Sequence, residues 1–155
     1  MALAVGNLDG NATDDEIVFA PLQDPVDKNS NPARPTLRVL KVTTGGSGTS
    51  FQELDSLALS GPGDMAPFGV CGIAIADFGT GSARKVYLVV TTVNGELLVY
   101  EWDLATKKIG ALRYSKILEG AVGAYNSIVV KDLAPVDGTP ELYIATSRGI
   151  RKWLF

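Results

Sequence analysis

Apolar and polar residues alternate along most of the chain, or the apolar ones form short runs rich in Val, Ile, Leu and Tyr. Both patterns predict β-strands, and no window has the apolar spacing of a helix bounded by caps. Segments rich in Gly, Pro, Asn and Asp separate the runs and predict turns. The predicted strands fall into three groups: Leu3–Leu8, Glu16–Ala20, Thr36–Val42 and Phe51–Leu59; then Val70–Phe78, Lys85–Thr92, Glu96–Asp103 and Ala111–Leu118; then Ser127–Leu133, Glu141–Thr146 and Ile150–Phe155.

One sequence pattern occurs at the start of each group. An apolar strand ends in Asp or Asn, several polar residues follow, and a second strand begins; the copies are Leu3–Ala20, Gly72–Thr92 and Ser127–Ser147. Repeats of this size are typical of propellers, solenoids and arrays, in which each unit buries its apolar face against its neighbours. The sequence therefore predicts a repeat protein.

Four strands per unit, with a short first strand rich in small residues, is the arrangement of a β-propeller blade. We predict a single all-β domain over 1–155 built from blades of four antiparallel strands. Blade 1 spans 1–60 with a polar loop at 21–35, blade 2 spans 69–119, and blade 3 spans 124–155 and lacks an outer strand. Because propellers close with about four to eight blades, we expect one chain to form an incomplete ring of about three blades.

The repeated pattern resembles the FG-GAP repeats of integrin-α-type β-propellers. That unit has an apolar strand, Asp-Phe or Asp-Leu, a loop rich in Gly and Asp, and then an acidic or polar residue that opens a second strand. The matching residues, which place the second strand at the same distance in all three units, are Asn7-Leu8 with Glu16-Ile17-Val18, Asp77-Phe78 with Val86-Tyr87-Leu88, and Asp132-Leu133 with Glu141-Leu142-Tyr143.

A second resemblance competes with the first. Residues 94–108 are similar to the end of a WD-repeat blade and include the Trp102-Asp103 pair. WD repeats usually carry a Gly-His pair, whereas this chain has no histidine and its first and third units have no Trp-Asp pair. The FG-GAP interpretation therefore ranks first.

The FG-GAP resemblance implies a candidate calcium site in the first loop. Asn7, Asp9, Asn11 and Asp15 offer oxygens at alternate positions, and a hard cation prefers six to eight oxygen ligands. Two of these side chains are amides, which lowers the negative charge available to the cation. The competing interpretation is an Asx-type turn, in which the same side chains bind their own backbone.

Composition removes several function classes. The absence of histidine removes the usual general base and the commonest transition-metal ligand. The single cysteine, Cys71, excludes an internal disulfide and a cysteine-rich zinc site. With a net charge of −3 and scattered basic residues, the chain offers no groove for nucleic acid. No stretch approaches the roughly 20 apolar residues of a membrane span, so we expect a soluble intracellular protein. We also expect no cofactor.

The last predicted strand offers a candidate partner-binding surface. It has no outer strand beside it, and an apolar edge of this kind is normally covered or used for strand addition. The alternating residues Arg151, Trp153 and Phe155 are the predicted contacts.

Three functions compete. The first is a non-catalytic interaction module that completes a ring with another copy or another chain and presents loops to a protein partner. The second is a carbohydrate-binding or calcium-dependent adhesion propeller. The third is an enzymatic propeller with paired carboxylates. We favour the first, because the sequence contains no catalytic constellation.

Overall fold

The computed structural model describes residues 1–11, 14–20, 35–46, 48–59, 69–93, 95–118, 128–131, 141–146 and 148–154. These residues form an all-β structure, which confirms the all-β part of the predicted fold class. Within the described ranges no helix is long and apolar enough to cross a membrane. The predicted loop at 21–35 lies almost entirely outside the described residues.

The strands follow the predicted order, and some of their ends are shifted. They are β1 Ala2–Gly6, β2 Glu16–Ala20, β3 Thr36–Gly45, β4 Gly48–Ala58, β5 Val70–Phe78, β6 Lys85–Thr92, β7 Glu96–Asp103, β8 Lys108–Ile117, β9 Ile128–Lys131, β10 Glu141–Thr146 and β11 Gly149–Leu154, with a 3-10 turn at Gly81–Ala83. The β3–β4 ladder continues to the pair Gly45 and Gly48, beyond the apolar pattern that predicted it, since backbone pairing does not require apolar side chains.

The predicted end of β1 at Leu8 is wrong. The strand ends at Gly6, and Leu8 lies in the following turn with its side chain fully buried. Its backbone N–H donates to the Glu16 carboxylate instead of a neighbouring strand. Leu8 therefore belongs to the core although it does not belong to the strand.

The strands form three antiparallel sheets in chain order. Sheet 1 has the order β1-β2-β3-β4, sheet 2 has the order β5-β6-β7-β8, and sheet 3 has the order β9-β10-β11. Sheet 2 lies between the other two, because β5 contacts both β1 and β9. The first strands of the three sheets are therefore neighbours.

Each sheet has two faces, which we call front and back. The front is the face on the side of the next sheet in chain order, and the back is the opposite face. The front of sheet 1 and the back of sheet 2 share one apolar cluster, which includes Val18, Val39, Leu88, Val90 and Trp102. The front of sheet 2 and the back of sheet 3 share a second, which includes Ala76, Val89, Ile128, Leu142 and Ile144. Both clusters thus join a front to a back.

The strand register corrects one alignment made from the sequence. The residues just before Asn7, Asp77 and Asp132 pair with Glu16, Tyr87 and Glu141 respectively. The structural equivalent of Glu16 in the second unit is therefore Tyr87 and not Val86. The connection between the first two strands is one residue longer in the second unit, where it contains the 3-10 turn Gly81–Ala83.

Gly6 sets the distance between β1 and β5. A Cβ atom on Gly6 would lie 3.1 Å from Cδ1 of Ile75, across the interface between sheets 1 and 2. A larger side chain would have to displace Ile75 from a packed core.

We expect Gly6→Val to lower the free energy of unfolding by about 1–3 kcal/mol through this overpacking. The matched control is Gly45→Val, because Gly45 is also a strand glycine but has no atom within 4 Å of its Cβ position. The measurement is urea denaturation of both variants. Equal effects of the two substitutions would contradict the close approach at Ile75.

Candidate functional site

The candidate calcium loop forms a hydrogen-bonded turn between β1 and β2. Asn7 Oδ1 accepts from the Gly10 N–H at 2.6 Å, and Asn7 Nδ2 donates to the Asn11 carbonyl at 2.9 Å. Asp9 Oδ1 accepts from the Asn11 N–H at 2.9 Å. These are the contacts of an Asx-type turn. Ala12 and Thr13 lie outside the described residues.

Two lysines bind the Asp9 carboxylate at the centre of this turn. Asp9 is only 3% exposed, and its Oδ2 lies 3.2 Å from Lys41 Nζ and 3.1 Å from Lys107 Nζ. Burial pushes the pKa of Asp9 up, but the Asn11 N–H and the two ammonium groups together hold that pKa below its usual value. Lys41 also binds Asp14 at 3.1 Å, and these two carboxylates raise the pKa of Lys41.

A bound cation would neutralise a cluster of carboxylates. Here the ammonium groups of Lys41 and Lys107 supply the positive charge beside Asp9. Asp15, the fourth candidate ligand, is exposed, and its backbone carbonyl accepts from the Val42 N–H. The described residues contain no group of three or more His, Cys, Asp or Glu side chains that could hold a metal ion. Calcium binding by Asn7, Asp9, Asn11 and Asp15 stays a prediction, and a calcium ion would compete with Lys41 and Lys107.

Glu16 is a buried carboxylate beside this turn. It opens β2 on the front of sheet 1 and is fully buried. Its Oε2 accepts from the Leu8 N–H at 2.6 Å, whereas Oε1 has no hydrogen-bond partner among the described residues. Burial raises the pKa of Glu16, and the Leu8 hydrogen bond opposes that rise. The carboxylate thus fixes the turn at a cost in desolvation.

Arg84 links sheet 1 to sheet 2. Its Nε lies 3.0 Å from Asp77 Oδ1, and its Nη2 donates to Asp77 Oδ2 at 2.9 Å and to the Asn7 carbonyl at 2.6 Å. Arg84 belongs to the longer connection of the second unit, so this connection provides a link between sheets 1 and 2. Hydrogen bonding to Asp77 raises the pKa of Arg84 further above its usual value.

Two more polar contacts cross the same interface. Lys107 in the β7–β8 turn reaches Asp9, and the Ile109 N–H of β8 donates to Asp55 Oδ2 of β4 at 2.8 Å. Sequence reasoning missed Lys41, Arg84 and Lys107, because each acts on residues distant in sequence. It could have found Glu16, since an acidic residue stands at the same place in the third unit, where Glu141 is 3% exposed and binds Lys152 at 2.6 Å.

A cleft of about 420 Å³ lies beside the β7–β8 turn, next to Trp102. Besides Lys85, its charged lining groups have partners: Arg84 binds Asp77, Arg113 binds Glu101, and Asp103 accepts from the Ala105 and Thr106 N–H groups. The paired charges select neither an anionic nor a cationic ligand, and we assign no chemistry to this cleft.

The predicted contact strand is the edge strand of sheet 3. Arg151 is exposed, and the register places Arg151 and Trp153 opposite Ile144 and Leu142, which face sheet 2. Phe155 and the side chain of Trp153 lie outside the described residues. The outward face of this strand is instead marked by Ile150, which is 76% exposed. Strand addition at this edge stays a prediction.

The back of sheet 1 and the front of sheet 3 lie at the two ends of the stack, and we call them the end faces. Each carries apolar side chains beside charged ones, which are Arg38 and Glu53 on the first and Lys131, Glu141 and Lys152 on the second. On the first, Leu3 and Val5 are exposed and Ile17 and Phe19 are half-buried; on the second, Val129, Ala145 and Ile150 are exposed and Tyr143 is half-buried. Exposed apolar patches of this kind mark interaction sites. The end faces are the strongest candidate for a functional surface in the described part of the chain.

Comparison of the chain with protein-family models and with curated proteins found no match in either case. The likeness to FG-GAP and WD repeats therefore depends on the short motifs in the sequence alone.

We expect Arg84→Met to lower the free energy of unfolding by about 1–2 kcal/mol, because it leaves Asp77 and the Asn7 carbonyl without their charged donor. The Arg84 side chain is 14% exposed, so solvent screens the link only in part. The control is Arg113→Met, which breaks an ion pair to Glu101 within sheet 2, where the Arg113 side chain is 58% exposed, and should cost within about 0.5 kcal/mol. Urea denaturation measures both, and equal losses would refute a linking role for Arg84.

We expect the stability difference between Glu16→Gln and the wild type to depend on pH. Because burial raises the pKa of Glu16 in the folded state above the usual 4.5, ionisation penalises the folded state. Wild-type stability should therefore fall relative to the variant as the pH rises from below 4.5 through the raised folded value. Glutamine keeps an oxygen that can accept from the Leu8 N–H.

The measurement is the melting temperature of both proteins from pH 3.5 to 8, a range chosen to span the titration of carboxylates. Glu53→Gln, which removes an exposed carboxylate, serves as the control for the loss of one negative charge. A Glu16→Gln difference that varies with pH no more than the Glu53→Gln difference would exclude the burial penalty at Glu16.

Proposed function

We propose that this chain is a non-catalytic interaction module, in which the three sheets act as propeller-type blades and further β-sheets from another copy or another chain cover the end faces. The observation that supports this most strongly is the exposure of apolar side chains at both ends of the stack. Val5 is 57% exposed on the back of sheet 1, and Val129 and Ile150 are 52% and 76% exposed on the front of sheet 3.

The packing inside the chain indicates what would cover such faces. Sheet 2 has a neighbour on both sides, and Leu88 on its back and Val89 on its front are both fully buried. The same kinds of residue stand on the end faces without a covering sheet among the described residues. A β-sheet with an apolar face is therefore the chemistry that fits each end face.

Burial of the exposed apolar side chains on the end faces would favour association. Fully burying one Val or Ile side chain contributes about 1.5–3 kcal/mol. Because Leu3, Val5, Val129 and Ile150 are only partly exposed, each adds less than that maximum. Several such residues together can offset the entropy lost on association only when the two surfaces fit each other closely.

We expect one of two results for the wild-type chain at micromolar concentration. Either it sediments as a species heavier than one chain, or it sediments as one chain and binds an apolar dye at its open end faces. The double variant Val5→Asp/Ile150→Asp should do neither, because a buried charge without a partner opposes sheet packing. Both sites are exposed, so the substitutions should leave the fold intact, which circular dichroism checks.

The matched control is Ile117→Asp. Ile117 is 57% exposed, the same fraction as Val5, but lies on sheet 2 and on neither end face. This variant should behave as the wild type does. A wild-type chain that sediments as one chain and binds no dye would reject the proposed function.

A further inference from the structure

We propose that the partner at both end faces is a second copy of this chain, bound head to tail, so that the front of sheet 3 of one copy packs against the back of sheet 1 of the other. This inference rests on the proposed function and names its partner. The reason is that both interfaces inside the chain pack the front of one sheet against the back of the next. Each end face is a front or a back without such a partner among the described residues.

The strand register gives the equivalent residues. On the back faces, Val5 of sheet 1 corresponds to Ile75 of sheet 2 and Val130 of sheet 3, because each stands two residues before the aligned Asn7, Asp77 or Asp132 of the sequence pattern. On the second strands, Ile17 corresponds in the same way to Leu88 and Leu142. In sheets 2 and 3 these back-face residues are buried or packed against a core cluster, whereas Val5 is exposed.

The front faces show the complementary pattern. Val18 of sheet 1 corresponds to Val89 of sheet 2 and Tyr143 of sheet 3. Val18 and Val89 are fully buried because a following sheet covers them. Tyr143 is half-buried and Val129, across the strand pair from it, is exposed. Among the described residues, one front and one back thus have no covering sheet, and the two interfaces inside the chain each match a front to a back.

Two lysines on the front of sheet 3, Lys131 and Lys152, make the contact between copies weaker than the internal ones. Gly6 and Ala76 occupy the front of the first strand where the next sheet approaches closely, and Lys131 stands at the equivalent position of sheet 3. Lys131 is exposed, and a lysine at such a contact must extend its ammonium group to solvent while its methylene stem packs. We therefore infer a reversible association.

A front-to-back contact between copies is heterologous, and such contacts form either a closed ring or an open filament. Two copies supply six sheets and two such contacts, and six lies within the roughly four to eight blades with which propellers close. The expected assembly is a closed dimer. Its two contacts are identical, and each uses Ile150 of one copy and Val5 of the other.

The experiment is a complementation test by light scattering on a size-exclusion column, with wild type, Val5→Asp and Ile150→Asp. The wild type should have twice the mass of one chain. Each variant alone should have the mass of one chain, because every head-to-tail contact within it contains the substituted residue. An equimolar mixture of the two variants should again form a species of two chains, because one contact then has both faces intact.

Other outcomes separate this inference from the proposed function. If one variant alone stays dimeric and mixing the two variants forms no further dimer, one end face packs against the same face of a second copy. That result overturns the head-to-tail arrangement but keeps an association through that face. A wild-type chain of single mass that binds an apolar dye overturns the second copy as partner and leaves the proposed function standing. A species of larger mass that grows with concentration overturns the closed dimer in favour of a filament.

Discussion

The structure depends on the need of each β-sheet to bury both of its faces. An antiparallel sheet can leave one face in water when that face is polar, but here both faces of all three sheets carry apolar side chains. Strands β5, β6 and β7 of sheet 2 meet this requirement within the chain, whereas Leu112, Tyr114 and Ile117 of β8 are exposed. Among the described residues, sheets 1 and 3 are each covered on one face only, and their other faces are the end faces.

The polar contacts between sheets 1 and 2 determine how these two sheets fit together. They contribute little to the recognition of a specific ligand. Arg84 binds a side chain of sheet 2 and a carbonyl at the end of sheet 1, while Asp9 is neutralised by Lys41 and Lys107. Charged groups arranged in this way fix orientation, because each has one geometry that satisfies all its partners. The loop that resembles a calcium site thus has a structural use already.

Much of the fold could be predicted from the sequence, since strand pattern and turn residues act locally. The strand Glu16–Ala20 was predicted with its observed ends, and so were Val70–Phe78, Lys85–Thr92 and Glu96–Asp103. The errors have nonlocal causes: Leu8 looked like a strand residue because it is apolar, yet its burial comes from packing in a turn. The extra residue before Tyr87 became visible only through strand pairing.

The candidate site was less predictable, because its contacts join residues far apart in the chain. Asp9 looked like a cation ligand as long as its neighbours were only those in sequence, and Lys107 reaches it from another sheet. The end faces could not be predicted from the sequence for a different reason. Val5 and Ile75 follow the same pattern in their strands, and only the stacking order makes one exposed and the other packed against the core. Equivalent residues in unequal surroundings therefore support the proposal that another sheet covers the end faces, and they are the basis for proposing which face of that sheet meets each one.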